Sequence, residues 1–343
     1  MHVIQKISCT FARLFSKSMY QETEIKSLIN KALTSSVTRN TPVELYDPIL
    51  YSIMVGGKRI RPTLCLLCYN LFQEIINSNI LMPAIGIEIF HGFTLIHDDI
   101  MDNAEIRRGN DTVHKKWSKN TAILSGDAMC IEAYRFISQT QAAHLPKVLE
   151  IFNKTAAQIC EGQQFDLMFE TKFLISEADY LTMIGLKTAA LIASAAKIGA
   201  IVADASIADC ENLYQFGYNL GMAFQIQDDV LDTYGNPSLF GKTIGGDIIS
   251  NKKTFLLVSA LIRAQGQQMS ELGELLKAND KDSTEKIKHV KEIFNALEIK
   301  QLAETKINQY FNTAIEYFNK IDIKEHRKVN ILKFVNELVD RNY

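Results

Sequence analysis

Hydrophobic residues recur at the spacing of an α-helix along most of the chain. Ile25, Ile29 and Leu33 fall on one face of a helix predicted over residues 24–34. The same periodicity predicts further helices in the following ranges: up to Val55, 84–106, 121–140, 146–170, 177–203, 208–234 and the charged remainder of the chain. Such a succession of helices predicts an all-α protein.

The breaks in this periodicity coincide with glycine, proline and charge, and they predict loops at 107–118 and from Gly235 to Lys253. Glycine (17) and proline (6) are few for 343 residues, which favours long helices over a fold of strands and turns. We find no linker rich in proline, glycine or serine. We therefore expect one domain over 23–343, preceded by a flexible leader at 1–22.

Composition restricts the kind of partner. The 37 basic and 39 acidic residues leave a formal net charge of -2, which gives no general attraction for nucleic acid. No run of 18 uninterrupted apolar residues occurs, so we expect no transmembrane segment.

The first 21 residues lack acids and include Lys6, Arg13 and Lys17, as organellar presequences do. A plain leader is the favoured alternative, so we expect a cytoplasmic protein, with mitochondrial or other organellar import as the second hypothesis.

Two acidic clusters with the same spacing, DDxxD, lie near the ends of two long predicted helices. Their members are Asp98, Asp99 and Asp102 in the first cluster and Asp228, Asp229 and Asp232 in the second. Like charges at this spacing repel, and carboxylates late in a helix oppose its dipole. A chain with two such clusters is expected to bind a hard divalent cation such as Mg²⁺, with phosphate oxygens completing its coordination. A solvated acidic helix end is the weaker alternative.

Basic residues accompany both clusters. They are Lys58, Arg59 and Arg61 after a Gly-Gly pair, Arg107 and Arg108 after the first cluster, and Lys242, Lys252 and Lys253 after the second. Glycine beside cations lets backbone N–H groups approach phosphate, and arginine grips phosphate oxygens with its forked head. No P-loop, GxSxG or HExxH motif is present. The pattern predicts a phosphorylated substrate and catalysis by charge neutralisation and positioning.

These motifs resemble those of the trans-isoprenyl diphosphate synthases, the polyprenyl synthetases that include farnesyl and geranylgeranyl diphosphate synthases. The segments that carry the resemblance, in family order between about residues 50 and 255, are GGKRIRP, EIFHGFTLIHDDIMDNAEIRRG, KTAALIASAAKIGA, FQIQDDVLDTYG and GKTIGGDIISNKKT. The resemblance implies the isoprenoid synthase fold, a bundle of about ten or more helices around a deep central cavity. It also implies a homodimer that acts on small diphosphate substrates.

The resemblance implies roles for individual residues. Asp98 and Asp102, supported by Asp99, would hold two Mg²⁺ ions, and Asp228, with Asp229 and Asp232, would hold a third. The residues implied for isopentenyl diphosphate are Lys58, Arg61, His91 and Arg108. Those implied for the allylic diphosphate are Arg107, Lys187, Lys242 and Lys252. Thr188 and Gln225, with Gln163 as a further candidate, would direct oxygen dipoles at the reacting carbons. The implied catalytic set is Asp98, Asp102, Arg107, Lys187, Thr188 and Gln225.

The implied reaction proceeds by ionisation, condensation and elimination. The allylic C–O bond of dimethylallyl, geranyl or farnesyl diphosphate breaks, and the double bond of isopentenyl diphosphate attacks the cation. A proton then leaves to the released diphosphate, so no dedicated protein base is needed. This agrees with the lack of a recognisable nucleophile and base pair in the sequence.

Residues just before the first cluster are expected to limit product length. Phe93 lies five residues before Asp98, with Phe90 below it and the small Thr94 beside it. An aromatic residue at this place is typical of short-chain synthases, and the absence of an insertion in DDxxD resembles archaeal geranylgeranyl synthases. We therefore favour a C20 over a C15 product. The alternative is that both phenylalanines only fill the core.

Two other functions remain open at this point. A class I terpene cyclase would share the fold and one DDxxD motif, but should lack GGKRIRP and a second DDxxD. A non-catalytic regulatory subunit of a prenyl synthase would usually carry degraded motifs, whereas all six aspartates are present here. The sequence therefore favours a Mg²⁺-dependent prenyltransferase.

Overall fold

The computed structural model describes residues 19–36, 41–235, 245–277 and 283–339. Helices dominate these ranges, as the hydrophobic periodicity predicts. They are α1 Glu22–Ser36, α2 Val43–Met54, α3 Ile60–Asn70, α4 Ser78–Met101, α5 Val113–Lys116, α6 Lys119–Ile137, α7 Leu145–Glu170, α8 Glu177–Ile184, α9 Ala190–Val202, α10 Ile207–Tyr234, α11 Gly246–Ile249, α12 Phe255–Arg263, α13 Gly266–Lys277, α14 Ser283–Ala296, α15 Ile299–Asn319 and α16 Glu325–Val339. A π-helical turn, Gly185–Ala189, joins α8 to α9. The all-α prediction is confirmed.

The segment predicted as a loop at 107–118 contains a small hairpin. Strand β1, Ile106–Arg107, pairs antiparallel with β2, Asn110–Asp111. Arg108 (φ 54°) and Gly109 (φ 72°) form the two-residue turn, and this left-handed pair matches the twist of a hairpin. The prediction of a loop over 107–118 was therefore wrong at Arg107 and Asn110–Asp111, which pair as strands, and at Val113–Lys116, which form the short helix α5. The hairpin was missed because its turn is made by Arg-Gly instead of the usual Asn-Gly signal.

Helix α4 carries the first acidic cluster and is bounded by local signals at both ends. The side chain of Asn77 accepts a hydrogen bond from the backbone N–H of Asn79 and starts the helix six residues before the predicted position. Asn103 adopts a left-handed conformation (φ 49°) just after the helix, which ends it. The acidic cluster therefore lies in the last turn of α4, and the predicted extension to 106 was wrong.

One compact unit consists of the residues up to Ile151 together with Ala195–Leu213 and Ile321–Phe334. In this unit α4 packs along α6, and a Cβ at Gly86 would lie only 2.9 Å from the carbonyl oxygen of Ala133. Glycine permits this close approach of the two helices. Tyr20, inside the predicted leader, is buried, and its N–H donates to Oδ1 of Asn70 at 3.0 Å. Residues 1–18 lie outside the described residues.

The second compact unit consists of Phe152–Ser194, Tyr214–Lys320 and the residues from Val335 onward. Its core is built from the inward faces of α8, α10, α12, α14 and α15, with Phe255, Phe294 and Ile299 almost completely buried. The apolar residues of α12 are nearly all buried, whereas α14 and α15 bury one stripe each. The single-domain expectation over 23–343 stays a prediction.

Two helical stretches, Ser78–Met101 and Glu177–Val202, are long and apolar enough to cross a membrane by length and composition. Their most apolar windows are 61% and 78% buried inside the protein. Core helices of water-soluble proteins pass the same test, so these stretches give only weak support for a membrane span. The expectation of no transmembrane segment stays a prediction.

Candidate active site

The first acidic cluster is held by an arginine from the hairpin. Arg107 Nε donates to Asp99 Oδ1 at 2.6 Å, and Arg107 Nη2 lies 3.3 Å from Asp98 Oδ2. Asp99 is buried, Asp98 is partly buried and Asp102 is exposed. Since Asp98 and Asp102 are four residues apart at the end of α4, their carboxylates share one helix face. The hairpin thus places a cation beside two of the three carboxylates.

Burial changes the acidity of the middle residue of this cluster. It raises the pKa of Asp99 to about 6, although Arg107 acts to lower it and Asp98 and Asp102 add a smaller upward effect. A buried carboxylate paired with a guanidinium is suited to holding Arg107 in place. Asp99 therefore serves as an anchor for this arginine in the described structure.

Arg61 and His91 are brought together in the same compact unit. Arg61 Nη1 lies 3.0 Å from His91 Nε2. Burial, followed by the charges of Arg61, Arg108, Arg107 and Arg59, lowers the pKa of His91 well below its usual 6.5. The imidazole is therefore neutral near pH 7 and is available to interact with the guanidinium without repulsion.

His91, Asp99 and Arg107 line one small cavity of about 40 Å³. Its lining residues include Tyr51, Arg59, Glu88, His91, Asp99, Arg107 and Arg108. The hydroxyl of Tyr51 donates to the carbonyl oxygen of Asp111 at 2.8 Å, and the side chain of Arg108 donates to the carbonyl oxygen of Gly56. The hairpin is therefore tied both to α2 and to the Gly-Gly loop.

Arg59 behaves differently from the other basic residues of GGKRIRP. Only 9% of it is exposed, and its Nη1 donates to Glu88 Oε1 at 2.8 Å. Lys58 is exposed and Arg61 is partly buried. Sequence reasoning missed Glu88, although its place three residues before His91 on an apolar helix is an available signal.

The second acidic cluster lies near the end of α10, where its middle residue is again buried. Asp229 Oδ2 accepts hydrogen bonds from the Tyr180 hydroxyl at 2.6 Å and from the backbone N–H of Phe255 at 2.8 Å. Asp229 Oδ1 accepts from Gln225 Nε2 at 3.1 Å. Burial raises the pKa of Asp229 to about 7, with Asp247 adding to the rise, while the three donors act to lower it. Tyr180 has no motif around it and was missed.

The last aspartate of this cluster organises the following loop. Asp232 Oδ2 accepts from the backbone N–H of Asp247 at 3.0 Å, and its carbonyl oxygen accepts from the N–H of Gly245 at 2.7 Å. The carbonyl oxygen of Asp247 in turn accepts from the N–H of Lys252 at 2.9 Å. The loop that carries Lys252 is thus fixed to the end of α10. Lys242 lies outside the described residues.

Lys187 and Thr188 lie in the π-helical turn, which widens the helix where these two side chains emerge. Lys187 Nζ donates to Asp166 Oδ2 at 2.6 Å, and Asp166 is buried on α7. Thr188 Oγ1 donates to Gln225 Oε1 at 2.8 Å. The structure thus joins Thr188, Gln225 and Asp229 in one hydrogen-bonded chain. Asp166 was missed, although it follows Gln163 by three residues and shares its helix face.

Gln163, the further candidate for an oxygen dipole at the reacting carbons, carries a buried amide nitrogen. The Nε2 group of Gln163 is buried without a hydrogen-bond partner among the described residues.

The three residues implied in product length differ in their burial. Phe90 is 2% exposed and belongs to the core, whereas Phe93 and Thr94 are partly buried. The Phe93 ring meets the rings of Phe90 and His97 edge-on, at centroid distances of 5.3 and 4.8 Å. Thr94 Oγ1 donates to the carbonyl oxygen of His91 at 2.8 Å.

The acidic clusters can hold a divalent cation only if oxygen atoms from another group complete its coordination. No three His, Cys, Asp or Glu side chains converge on a complete metal site in the part of the chain that the structure describes. Asp98 and Asp102 nevertheless offer carboxylate oxygens on one helix face. Because Mg²⁺ is usually held by one or two carboxylates plus phosphate oxygens, this donor set fits an ion that is bound together with a diphosphate.

Comparison with known proteins agrees with this chemistry. The family model described as "Polyprenyl synthetase" matches residues 42–295. The geranylgeranyl diphosphate synthase of Methanosarcina mazei is 38% identical over 239 residues, which cover 68% of this chain and 72% of that protein. The geranylfarnesyl diphosphate synthase of Natronomonas pharaonis is 36% identical over 260 residues, 71% of this chain and 76% of that protein.

A solved structure is also similar over nearly the whole chain. The crystal structure of a geranylgeranyl pyrophosphate synthase has a TM-score of 0.89 and 38% sequence identity, and the match covers 95% of this chain and 100% of that one. The described helices therefore form the isoprenoid synthase fold. By the extent of the family match and the identity to these relatives, the chain belongs to the polyprenyl synthetase family and is a short-chain prenyltransferase.

Proposed function

We propose that this protein condenses isopentenyl diphosphate with an allylic diphosphate in a Mg²⁺-dependent reaction, and that its main product is C20. The observation that carries the proposal is the arrangement at the end of α4. There, Asp98 and Asp102 share one helix face, and Asp99 is buried against Arg107 at 2.6 Å. Carboxylates with an anchored guanidinium beside them suit a diphosphate that arrives with its metal ions.

The chain's own residues would bind and orient the two substrates. Lys58, Arg61, His91 and Arg108 would contact isopentenyl diphosphate, while Arg107, Lys187 and Lys252 would contact the allylic diphosphate. We assign Lys242 to the second group on its motif alone. Lys187 is supported in this role because its pairing with the buried Asp166 fixes the ammonium group. Such preorganised cations stabilise charge that develops on the leaving diphosphate.

Asp98 and Asp102 would hold two Mg²⁺ ions, with Asp99 supporting them, and Asp228, Asp229 and Asp232 would hold a third. When bound, these ions would neutralise the departing diphosphate and so favour cleavage of the allylic C–O bond. Thr188 and Gln225 would direct oxygen dipoles toward the positive charge on the allylic carbon. The Thr188–Gln225 hydrogen bond of 2.8 Å supports their acting as a pair.

The condensation forms one C–C bond and breaks one C–O bond. The electron pair of the isopentenyl double bond attacks the allylic carbon, and a proton then leaves C2 of the isopentenyl unit to the released diphosphate. No protein base is required for this step. The neutral His91 is suited to hydrogen bonding with a diphosphate and is not assigned as a base.

A C20 product is favoured by the aromatic Phe93 ahead of the first cluster and by the relatives named as geranylgeranyl diphosphate synthases. The Natronomonas relative named as a geranylfarnesyl diphosphate synthase makes C25 the next product to consider. A terpene cyclase and a non-catalytic subunit are not favoured, because the relatives are named as diphosphate synthases and all six cluster aspartates are present.

We also infer a homodimer located in the cytoplasm, as the family resemblance implies for assembly. Sedimentation of the purified protein at several concentrations tests the dimer. A sedimentation coefficient that stays at the monomer value at the highest concentration would contradict it.

The reaction itself is tested with purified protein, Mg²⁺, isopentenyl diphosphate and each of dimethylallyl, geranyl and farnesyl diphosphate. We expect diphosphate release and a C20 prenyl product, identified by mass spectrometry after dephosphorylation. Asp98→Asn should lower turnover by at least about 100-fold, the size expected when one group that stabilises transition-state charge is lost. Asp204→Asn is the matched control, since its side chain is 75% exposed just after α9. Absence of turnover with all three primers would refute the proposal.

A further inference from the structure

Arg59 is the one cation of GGKRIRP for which the motif implies no substrate contact. Its guanidinium is turned inward, with 9% of the residue exposed, and pairs with Glu88, of which 7% is exposed. A buried arginine with a carboxylate at 2.8 Å has its charge compensated inside the protein. Arg59 is therefore poorly placed to neutralise a phosphate group directly.

The same guanidinium joins three helices of its compact unit. Besides Glu88 of α4, Nη2 donates to the carbonyl oxygen of Ile53 at 2.8 Å, in the last turn of α2. Nε donates to Asn30 Oδ1 on α1 at 3.3 Å. A planar group with donors on three sides fixes the loop position more tightly than a single ion pair would. Arg59 thus anchors the Gly56-Gly57-Lys58 loop to α1, α2 and α4.

The backbone at Arg59 shows that this orientation is enforced. The residue adopts a left-handed conformation (φ 52°, ψ 36°) directly before α3. Such a conformation is unfavourable for a residue with a Cβ, so surrounding contacts must hold it. The left-handed turn sends the Arg59 side chain into the core and leaves Lys58 exposed.

A second contact continues the first along α4. Arg61 lies 3.0 Å from His91, and His91 follows Glu88 by three residues on the same helix face. Arg59 and Arg61 thus contact α4 at two positions that lie one helical turn apart. Arg59, Glu88 and His91 also line the cavity of about 40 Å³. The Arg59–Glu88 pair and the Arg61–His91 contact are therefore neighbours on α4.

We propose that Arg59 is a positioning residue that, through its ion pair with Glu88, fixes Lys58 and Arg61 for binding of isopentenyl diphosphate. The inference rests on the proposed function, in which Lys58 and Arg61 contact that substrate. A loop that is already fixed does not have to be ordered when the diphosphate binds, so the substrate binds more tightly. The allylic diphosphate is proposed to use other residues, so its binding should not depend on Arg59.

The test uses a double variant that removes the pair without changing net charge, Arg59→Met with Glu88→Leu. We expect the KM for isopentenyl diphosphate to rise about 10-fold to 100-fold, the scale of effect that misplaced binding groups produce. The KM for the allylic diphosphate and kcat at saturation should stay within about twofold. Arg59→Lys keeps the charge but has fewer donors, and should raise the isopentenyl KM to an intermediate value.

A matched control comes from a second arginine in the same compact unit. Arg327 donates to Glu74 at 3.2 Å and to the carbonyl oxygen of Leu71 at 3.3 Å, after the end of α3. The pair of changes Arg327→Met and Glu74→Leu therefore removes an arginine–glutamate pair outside the GGKRIRP loop, one in which the Glu74 side chain is 65% exposed. It should leave all three kinetic constants unchanged.

Several outcomes would overturn the proposal. One is an unchanged isopentenyl KM in both Arg59 variants, and another is an equal worsening of both KM values and kcat, which would indicate general damage. If the double variant does not fold, Arg59→Lys alone decides. If the wild type shows no turnover, the proposed function fails, and calorimetric binding of inorganic diphosphate to wild type and Arg59→Lys then decides. Equal affinities in that measurement would refute the positioning role.

Discussion

The hydroxyl of Tyr180 on α8 donates a 2.6 Å hydrogen bond to Oδ2 of Asp229, the middle aspartate of the second cluster on α10. Both residues are buried, with 1% and 5% of their surface exposed. The same oxygen accepts the backbone N–H of Phe255 at the start of α12. Asp229 therefore links three helices, and its orientation depends on groups far away in the sequence.

Removal of this hydroxyl should weaken the protein measurably. In Tyr180→Phe the ring remains, but Asp229 loses one of its donors while it stays buried. We expect a loss of about 1–3 kcal/mol of unfolding free energy at pH 8, the cost of leaving a buried acceptor short of a partner. Chemical denaturation followed by circular dichroism measures the loss.

The control for this change is Tyr310→Phe in the same compact unit. The Tyr310 ring is partly buried, and its hydroxyl forms no hydrogen bond within the described ranges. Its removal should alter the unfolding free energy by less than about 0.5 kcal/mol. Equal effects of the two variants would show that the Tyr180–Asp229 bond contributes nothing specific.

His91 should make stability depend on pH below neutrality. Burial and the nearby charges of Arg61, Arg108, Arg107 and Arg59 lower its pKa in the folded protein well below 6.5. The unfolded chain therefore takes up a proton as the pH falls through 6.5, while the folded protein does not. This contribution to stability is complete above pH 6.5 and is lost as the pH falls toward the lowered pKa.

The variant His91→Gln isolates this effect. Between pH 7.5 and 5.5 we expect the wild type to lose about 1 kcal/mol more unfolding free energy than the variant, because one group accounts for up to about 1.4 kcal/mol per pH unit. Glu88 and Asp99 line the same cavity and are present in both proteins. Parallel pH profiles for wild type and variant would contradict the expectation.

The positions of the chemically important groups could be predicted from sequence, because they lie in short motifs with fixed spacing. The placing of Asp98 and Asp102 on one face of a helix follows from their separation of four residues alone. Gln225 is likewise three residues before Asp228 on α10, and the structure joins it to Asp229 at 3.1 Å. Local geometry along one helix requires no knowledge of the rest of the fold.

The partners of these groups could not be predicted, because they come from distant segments. Tyr180 is 49 residues from Asp229 and Asp166 is 21 residues from Lys187. The inward turn of Arg59 depends on a left-handed backbone that its side chain does not favour, and the π-turn at Lys187 has no compositional signal. Tertiary packing decides all of these features.

Helix α7 packs closely against the π-helical turn at Lys187, and a glycine on α7 permits this contact. A Cβ at Gly162 would overlap the backbone nitrogen of Lys187 and lie 2.8 Å from its Cα. In Gly162→Ala the turn must therefore move, and we expect a loss of about 1–3 kcal/mol of unfolding free energy from overpacking. The allylic KM should rise as well, because Lys187 moves with the turn.

A second glycine-to-alanine change provides the comparison. Gly273 on α13 has open surroundings, since the nearest atom that a Cβ there would meet is Phe173 Cζ, at 3.9 Å. Gly273→Ala should stabilise the protein by about 0.5–1 kcal/mol through helix propensity, without any effect on the allylic KM. If Gly162→Ala behaves like this control, α7 does not restrict the turn.

Phe93 and Phe90 should respond to truncation in different ways, although both precede the first acidic cluster. Phe93 is only partly buried, so Phe93→Ala should remain folded and yield products longer than those of the wild type if this ring limits chain growth. Phe90 is 2% exposed and supports Phe93 from the core, so Phe90→Ala should cost about 3–5 kcal/mol of unfolding free energy. Mass spectrometry of the prenyl alcohols measures the first effect and thermal unfolding the second. An unchanged product length in a folded Phe93→Ala variant would mean that this phenylalanine only fills space beside Phe90 and His97, and that another part of the chain limits the product.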